Sequence, residues 1–180
     1  MYGMVHRAAR QMVLDLHGEN HWSAISAASG LGDDAFIGAN VYGDEVTLKL
    51  VAAISDHFEA QVESMLRAFG EYWISFAYNG DYKSIMTMAG QDLVSFLYNL
   101  NRMHDSVQIS IPGARLPTFV VDDDNSDAIT LSYFSDRTGL EPFVEGLLSG
   151  LIKHFGQTGN IHQIGRNGSG VQFQIVLSNP

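Results

Sequence analysis

Apolar residues recur at three- and four-residue steps through the first 110 positions and again over 139–155, and at two-residue steps in the segments around that last stretch, the periods of helix and strand. Val5, Ala8, Ala9, Met12, Val13 and Leu16 share one face of a helix expected over 3–17, with Gly18 closing it and Asn20 capping the next. Trp22, Ile25 and Ala28 mark a short second helix that stops at Gly30. Residues 31–43 are turn-rich, with Gly32-Asp33-Asp34, Gly38-Ala39-Asn40 and Tyr42-Gly43-Asp44. Asp44 opens a helix with Val46, Leu48, Leu50, Val51, Ile54 and Phe58 inward, and another follows over about 60–69 with Val62, Met65, Leu66 and Phe69 inward. A densely aromatic stretch, 70–78, runs into Asn79-Gly80-Asp81. A short helix near 82–88 then leads past Gly90 to a stripe of Leu93, Phe96, Leu97, Leu100, Met103 and His104.

Residues 110–117 hold two prolines, neither of which fits a helix interior, and form a loop. Phe119-Val120-Val121 reads as a strand, 122–127 as a solvated acidic turn, and 128–133 as a second strand with period-two alternation. The turn lacks the glycine and closing glutamate of a calcium loop. A helix over 139–155 buries Leu140, Phe143, Val144, Leu147, Leu148, Leu151 and Ile152, and Gly156 ends it. Strands at 161–164 and 171–176 complete the chain, separated by residues 166–170. The expected fold is α+β in one domain: a helical part over about 1–110, then over about 111–180 a four-stranded antiparallel sheet with a packed helix.

Composition narrows the chemistry. A net charge of -10 argues against a nucleic-acid partner, which selects a basic surface. No apolar run approaches the length of a membrane span, and the N-terminus lacks a signal core, so the expected compartment is the cytoplasm. With 0 cysteines there are no disulfides and no thiolate ligands, and any metal falls to His, carboxylate, Tyr or Met.

His104 stands in the last turn of an otherwise apolar helical face. An imidazole aimed into such an interior takes either a hydrogen-bond acceptor or a metal. If the alternation of Leu131 and Tyr133 continues, Ser135 and Arg137 project to the same side as Tyr133, and a phenol, a hydroxyl and a guanidinium converge. That set suits a carboxylate or phosphate. A tyrosine corner beside a surface arginine is the plainer reading. Together the two stretches describe a heme: His104 for the iron, Tyr133, Ser135 and Arg137 for the propionates, and an apolar lining that includes Leu100 and Met103 for the ring. The competing readings are a carrier or interaction module for another acidic apolar ligand, and a non-heme metal enzyme using His104 with His6 or His57. His104, His6 and His57 stand in no H-x-x-x-H or H-x-x-E spacing, which disfavours the enzyme. His6, His57, His154 and His162 read as surface or structural, and His17 and His21 as surface residues.

Met1-Tyr2-Gly3-Met4-Val5, Phe69-Gly70-Glu71-Tyr72-Trp73, the helix end at 100–104, the segment 111–119 and Tyr133-x-Ser135-x-Arg137 resemble, in order, the H-NOX family of heme nitric oxide/oxygen-binding domains, which includes the sensor domain of soluble guanylate cyclase. The resemblance is strongest to stand-alone bacterial members. It implies a b-type heme held without covalent attachment between a helical distal lobe and a mixed proximal lobe, with His104 as proximal ligand and Tyr133, Ser135 and Arg137 on the propionates. Val5 and Pro117 match positions that pack against and distort the porphyrin. Oxygen-binding members carry a distal tyrosine where this chain has Pro142. Trp73 stands at the place of a polar partner, and Ala9 at that of a tryptophan. A distal side of Val5, Ala9, Trp73, Pro142 and Phe143 is therefore expected to bind NO and CO and to exclude O₂; Trp73 is read as packing on the ring, with its indole N–H the alternative donor. The expected output is not catalysis. It is release of His104 on NO binding, signalled to a histidine kinase or a cyclic-di-GMP enzyme on another chain.

Overall fold

The computed structural model describes residues 2–32, 36–37, 40–111, 113–124 and 128–178, with residue 124 described by its backbone alone. The turns expected at Asp33-Asp34, Gly38-Ala39 and 125–127, and the loop residue Pro112, lie outside the described residues. Six helices come first: α1 (Gly3–His17), α2 (Glu19–Ser29), α3 (Asp44–His57), α4 (Val62–Asn79), α5 (Lys83–Ala89) and α6 (Leu93–Ser110). They are followed by β1 (Thr118–Asp124), β2 (Ala128–Phe134), α7 (Glu141–His154), β3 (Thr158–Asn167) and β4 (Gly170–Ser178). The strands form one antiparallel sheet in the order β1-β2-β4-β3. The α+β expectation therefore holds.

Local chemistry moved several boundaries. Gly18, at φ 88°, donates its N–H to the carbonyls of Val13 and Leu14 and caps α2 as well, so Asn20 lies inside α2 instead of before it. Leu48 is exposed because Leu50, Ala53 and Ile54 define the buried face of α3 and a residue two positions away points to the opposite side. Val62 is also exposed, at the first position of α4. The aromatic stretch is not separate from the helix before it: α4 runs unbroken through Gly70. That glycine lets α7 approach closely, since a Cβ there would collide with the Phe143 carbonyl, and one at Gly146 with the Arg67 carbonyl. α7 begins at Glu141, after Gly139 has turned the chain at φ 79°.

Residues 122–124 are strand, not turn. Asp123 and Asp124 pair with Thr130 and Ile129 past a bulge, and the Asp122 carboxylate accepts hydrogen bonds from Ser132 Oγ (2.5 Å) and Gln172 Nε2 (3.2 Å). β3 and β4 are longer than their apolar runs suggest, because a Gly168-Ser169 turn with Gly168 at φ 58° lets pairing begin at Asn167 and Gly170.

Two apolar cores result. One lies between the sheet (Phe119, Leu131, Phe173) and helices α4 to α7, with Phe96, Leu97, Leu100 and Leu148 buried in it. The other joins α1, α2 and α3 through Val5, Ala9, Val13, Ile25 and Ile54, and reaches Phe69 of α4. Trp73 packs against both.

Candidate cofactor site

α6 starts with a capping box: the Asp92 carboxylate accepts from the Ser95 N–H at 2.8 Å, and Ser95 Oγ returns to the Asp92 backbone. That register turns Leu93, Phe96, Leu97 and Leu100 into the core, with Met103 partly buried after them. It also lines up a second, polar stripe. Asn101 donates Nδ2–H to the Phe119 carbonyl (2.6 Å) and accepts the Phe119 N–H at Oδ1 (2.9 Å). His104 Nδ1 lies 2.9 Å from the Pro117 carbonyl oxygen, and Gln108 Nε2 donates to the Ala114 carbonyl at 2.9 Å. Three side chains at helical spacing thus hold the backbone of 114–119, which runs antiparallel to the helix.

The His104 bond fixes its tautomer. A carbonyl can only accept, so the proton sits on Nδ1 and Nε2 keeps its lone pair. Burial lowers the imidazole pKa below its ordinary value, against the opposing effects of the Pro117 bond and the Asp105 charge. A neutral, oriented imidazole with a backbone-bonded Nδ1 is the arrangement of a metal-ligating histidine. The hydrogen bond uses one nitrogen and leaves the other, so the acceptor reading does not exclude the metal reading.

Tyr133 projects from β2 into the core beside Phe119, with ring centroids 5.3 Å apart. Burial raises its phenol pKa, partly offset by a hydrogen bond with Ser135 and the charge of Arg137. Ser135 and Arg137 do join it, but not by strand alternation. β2 ends at Phe134, and Ser135 Oγ accepts the Arg137 N–H at 3.0 Å, a short turn that folds the arginine back. Arg137 Nε then donates to both Asp44 oxygens (3.0 and 3.1 Å), and Nη1 to the Arg115 carbonyl (2.9 Å). Asp44 is the first residue of α3. Burial alone would raise its carboxyl pKa, but the Arg137 guanidinium contributes to holding it below the ordinary value. Arg115 Nη2 stands 3.9 Å from the same carboxylate. The buried Tyr2 hydroxyl lies beside the Arg115 backbone and within the field of Arg137; burial raises its pKa, partly offset by these two neighbours.

The other expected residues divide between the two cores. Leu100 is buried and Met103 partly buried on the sheet side. Val5 and Ala9 are buried, and Phe143 partly buried, on the helical side, where Phe143 stacks on Phe69 at 5.2 Å. Pro142 is partly buried in the first turn of α7, and Pro117 is partly buried next to His104. The Trp73 ring packs on Phe76 (5.8 Å) and Tyr82 (6.3 Å). Sequence reasoning missed Asn101, Gln108, Asp44 and Tyr2. The 101, 104, 108 spacing was a visible sign for the first two; nothing local announced that Asp44 would meet Arg137.

The residues fit a heme in chemistry. His104 offers a neutral nitrogen. Two of the five N–H donors of Arg137 are engaged in the bonds named, and the buried Tyr2 hydroxyl lies in the same electrostatic neighbourhood. Large apolar side chains lie on both sides of the seam between the cores.

Residues 2–163 match the family described as Haem-NO-binding. The chain is 29% identical over 152 residues to soluble guanylate cyclase gcy-35 of Caenorhabditis elegans, an alignment covering 82% of this chain and 22% of that protein. It spans about a fifth of the length of the curated relatives it matches. Its fold is similar to an H-NOX protein from S. oneidensis solved in the Fe(II)NO ligation state (TM-score 0.86, 20% identity, 99% of this chain and 100% of that one). An H-NOX protein from K. algicida, solved as Fe(II) unliganded, is similar too (TM-score 0.80, 23% identity, 100% and 98% covered).

Proposed function

Because the chain belongs to the Haem-NO-binding (H-NOX) family of heme-based gas-sensor domains, we propose that it holds heme b and binds NO and CO while excluding O₂. The carrying observation is the His104 imidazole, neutral and oriented by Pro117, with the Tyr133–Ser135–Arg137 donor cluster at the end of β2 and in the turn after it. The ferrous heme supplies the iron that captures the gas. His104 Nε2 would hold that iron. Tyr133, Ser135 and Arg137 receive the propionates, with Arg137 turning part of its fork from Asp44. Val5, Pro117, Leu100 and Met103 pack on the porphyrin, and the domain extends over residues 1–180.

On the gas side, Ala9, Val5, Pro142 and Phe143 present no hydroxyl. Bound O₂ gathers negative charge and gains from a buried donor, whereas NO needs one far less. Packing of Trp73 between Phe76 and Tyr82 supports its reading as an apolar wall. Release of His104 at Nε2 would leave its Nδ1 bond to Pro117 in place, so the 114–119 backbone would follow α6. The effector we favour is a histidine kinase or a cyclic-di-GMP enzyme, and NO-dependent change in the activity of such a partner mixed with this chain is its assay. No helix among the described residues is long and apolar enough to cross a membrane.

The test is the absorption spectrum of the dithionite-reduced protein, repeated in air and with NO. A heme band unchanged by air and converted by NO to a five-coordinate form is expected. A stable oxy spectrum overturns O₂ exclusion, and full heme binding by His104→Gly overturns the ligand assignment.

A further inference from the structure

Away from this site, the ends of α1, α2 and α3 bring three histidines to the surface. His17 is the last residue of α1, His21 lies in the first turn of α2, and His57 is the last residue of α3. All three are exposed. His21 Nδ1 and His57 Nε2 stand 2.9 Å apart, across 36 positions of sequence. Their rings meet nearly at right angles (83°, centroids 5.2 Å).

Phe58 pins the cluster. It stacks on His21 (5.6 Å, 23°), meets His57 edge-on (4.9 Å, 84°) and carries the His17 ring on its face (4.2 Å). Phe58 is itself fixed by the way α3 ends. The Ala60 N–H reaches the Ser55 carbonyl (3.0 Å) and the Glu59 N–H the Asp56 carbonyl (3.3 Å), the double bond of a Schellman end. Glu59 takes the left-handed position at φ 50° that such an end requires.

Two imidazole nitrogens at 2.9 Å can share one proton. The same separation suits adjacent ligands of one ion: at metal–nitrogen distances of about 2.05 Å and a right angle, two nitrogens stand roughly 2.9 Å apart. The cation would sit at the carbonyl end of the α3 dipole, which favours positive charge, and beside the first turn of α2, which opposes it, on a chain of net charge -10, with Asp56 and Glu59 flanking His57 in sequence. Imidazole without thiolate suits Ni²⁺, Cu²⁺ and Zn²⁺, and a right-angle pair favours square or octahedral coordination. Among the described residues no three such ligands already converge. We infer that His21 and His57 form a two-imidazole chelate for a first-row divalent cation, completed by water, which clamps α2 to α3. This site is separate from the heme reading and stands or falls without it.

The test is calorimetric titration of the untagged protein with Ni²⁺. One saturable event is expected, weakened about tenfold or more (about 1.4 kcal/mol) by His21→Gln and equally by His57→Gln, with His162→Gln, an exposed histidine elsewhere, unchanged. Absence of a saturable event, or wild-type affinity in His21→Gln, overturns the inference. In histidine-ring NMR of the wild type, substoichiometric Ni²⁺ should broaden His21 and His57 first. Earlier broadening of any other histidine would equally overturn it.

Discussion

Asn101 ties α6 to the edge of the sheet. β1 is an edge strand, and Phe119 offers its N–H and carbonyl outward, away from β2. The Asn101 amide takes both, at 2.9 and 2.6 Å, acting as a single residue of a fifth strand supplied by a helix. Asn101→Ala removes two hydrogen bonds and leaves two backbone groups of a residue only 6% exposed without that partner. Two bonds at about 1 kcal/mol each, plus partial desolvation of the orphaned groups, give a loss of about 2–3 kcal/mol. For a chain of this length that lowers Tm by roughly 4–12 °C. Urea unfolding followed by circular dichroism would measure it. Asn99→Ala is the control, because the Asn99 amide donates only to the Ser95 carbonyl of its own helix and its loss should stay within about 0.5 kcal/mol. If the two variants unfold at the same urea concentration, the edge-capping account of Asn101 is wrong.

Three further outcomes follow from other contacts. Glu59→Gly relieves a left-handed residue at the end of α3 and should raise stability by about 1 kcal/mol, read as a higher urea midpoint; a lower midpoint would contradict the strain. Gly146→Ala drives a Cβ into the Arg67 carbonyl and should cost about 1–3 kcal/mol despite the better helix propensity of alanine, and unchanged thermal unfolding would mean that α4 and α7 separate freely. Because the carboxyl of Asp44 ionises more readily folded than unfolded, its stabilisation is present above the ordinary carboxylate pKa of about 3.9 and is lost as pH falls through its lowered folded value. Asp44→Asn should therefore show a shallower loss of stability than the wild type in acid titrations below about pH 4, and parallel curves would refute the lowered folded pKa of Asp44.

What could be read from the sequence was what a local period encodes. The apolar stripe of α6 delivered its buried residues and placed His104 at their end, and Tyr133 entered the core on the alternation of β2. The errors lie where a distant partner decides. Gly70 looked like a break because nothing nearby reveals that α7 requires a missing Cβ there. Asp122 looked like turn because the groups that donate to its carboxylate, Ser132 and Gln172, come from two other strands. Ser135 and Arg137 reached Tyr133 through a side-chain–backbone turn that mimics the expected convergence by another route.

Both halves of the proposed heme site depend on one strap of backbone, residues 114–119. Gln108, His104 and Asn101 fasten it to α6 at Ala114, Pro117 and Phe119, and Arg137 fastens it from the other side at the Arg115 carbonyl. Arg137 in turn grips Asp44, the first residue of α3 in the helical core. A displacement of His104 therefore acts on a segment that also carries a bond to the arginine joining the two cores. Each of these bonds is individually modest, about 1 kcal/mol, so loosening one need not unfold the domain. A strap held at four points can instead exchange one set of bonds for another, as a two-state element must if a ligand is to bias it. The placement of polar side chains at 101, 104 and 108 beside the apolar stripe of α6 makes sense in these terms: the helix packs through one stripe and holds the strap through the other.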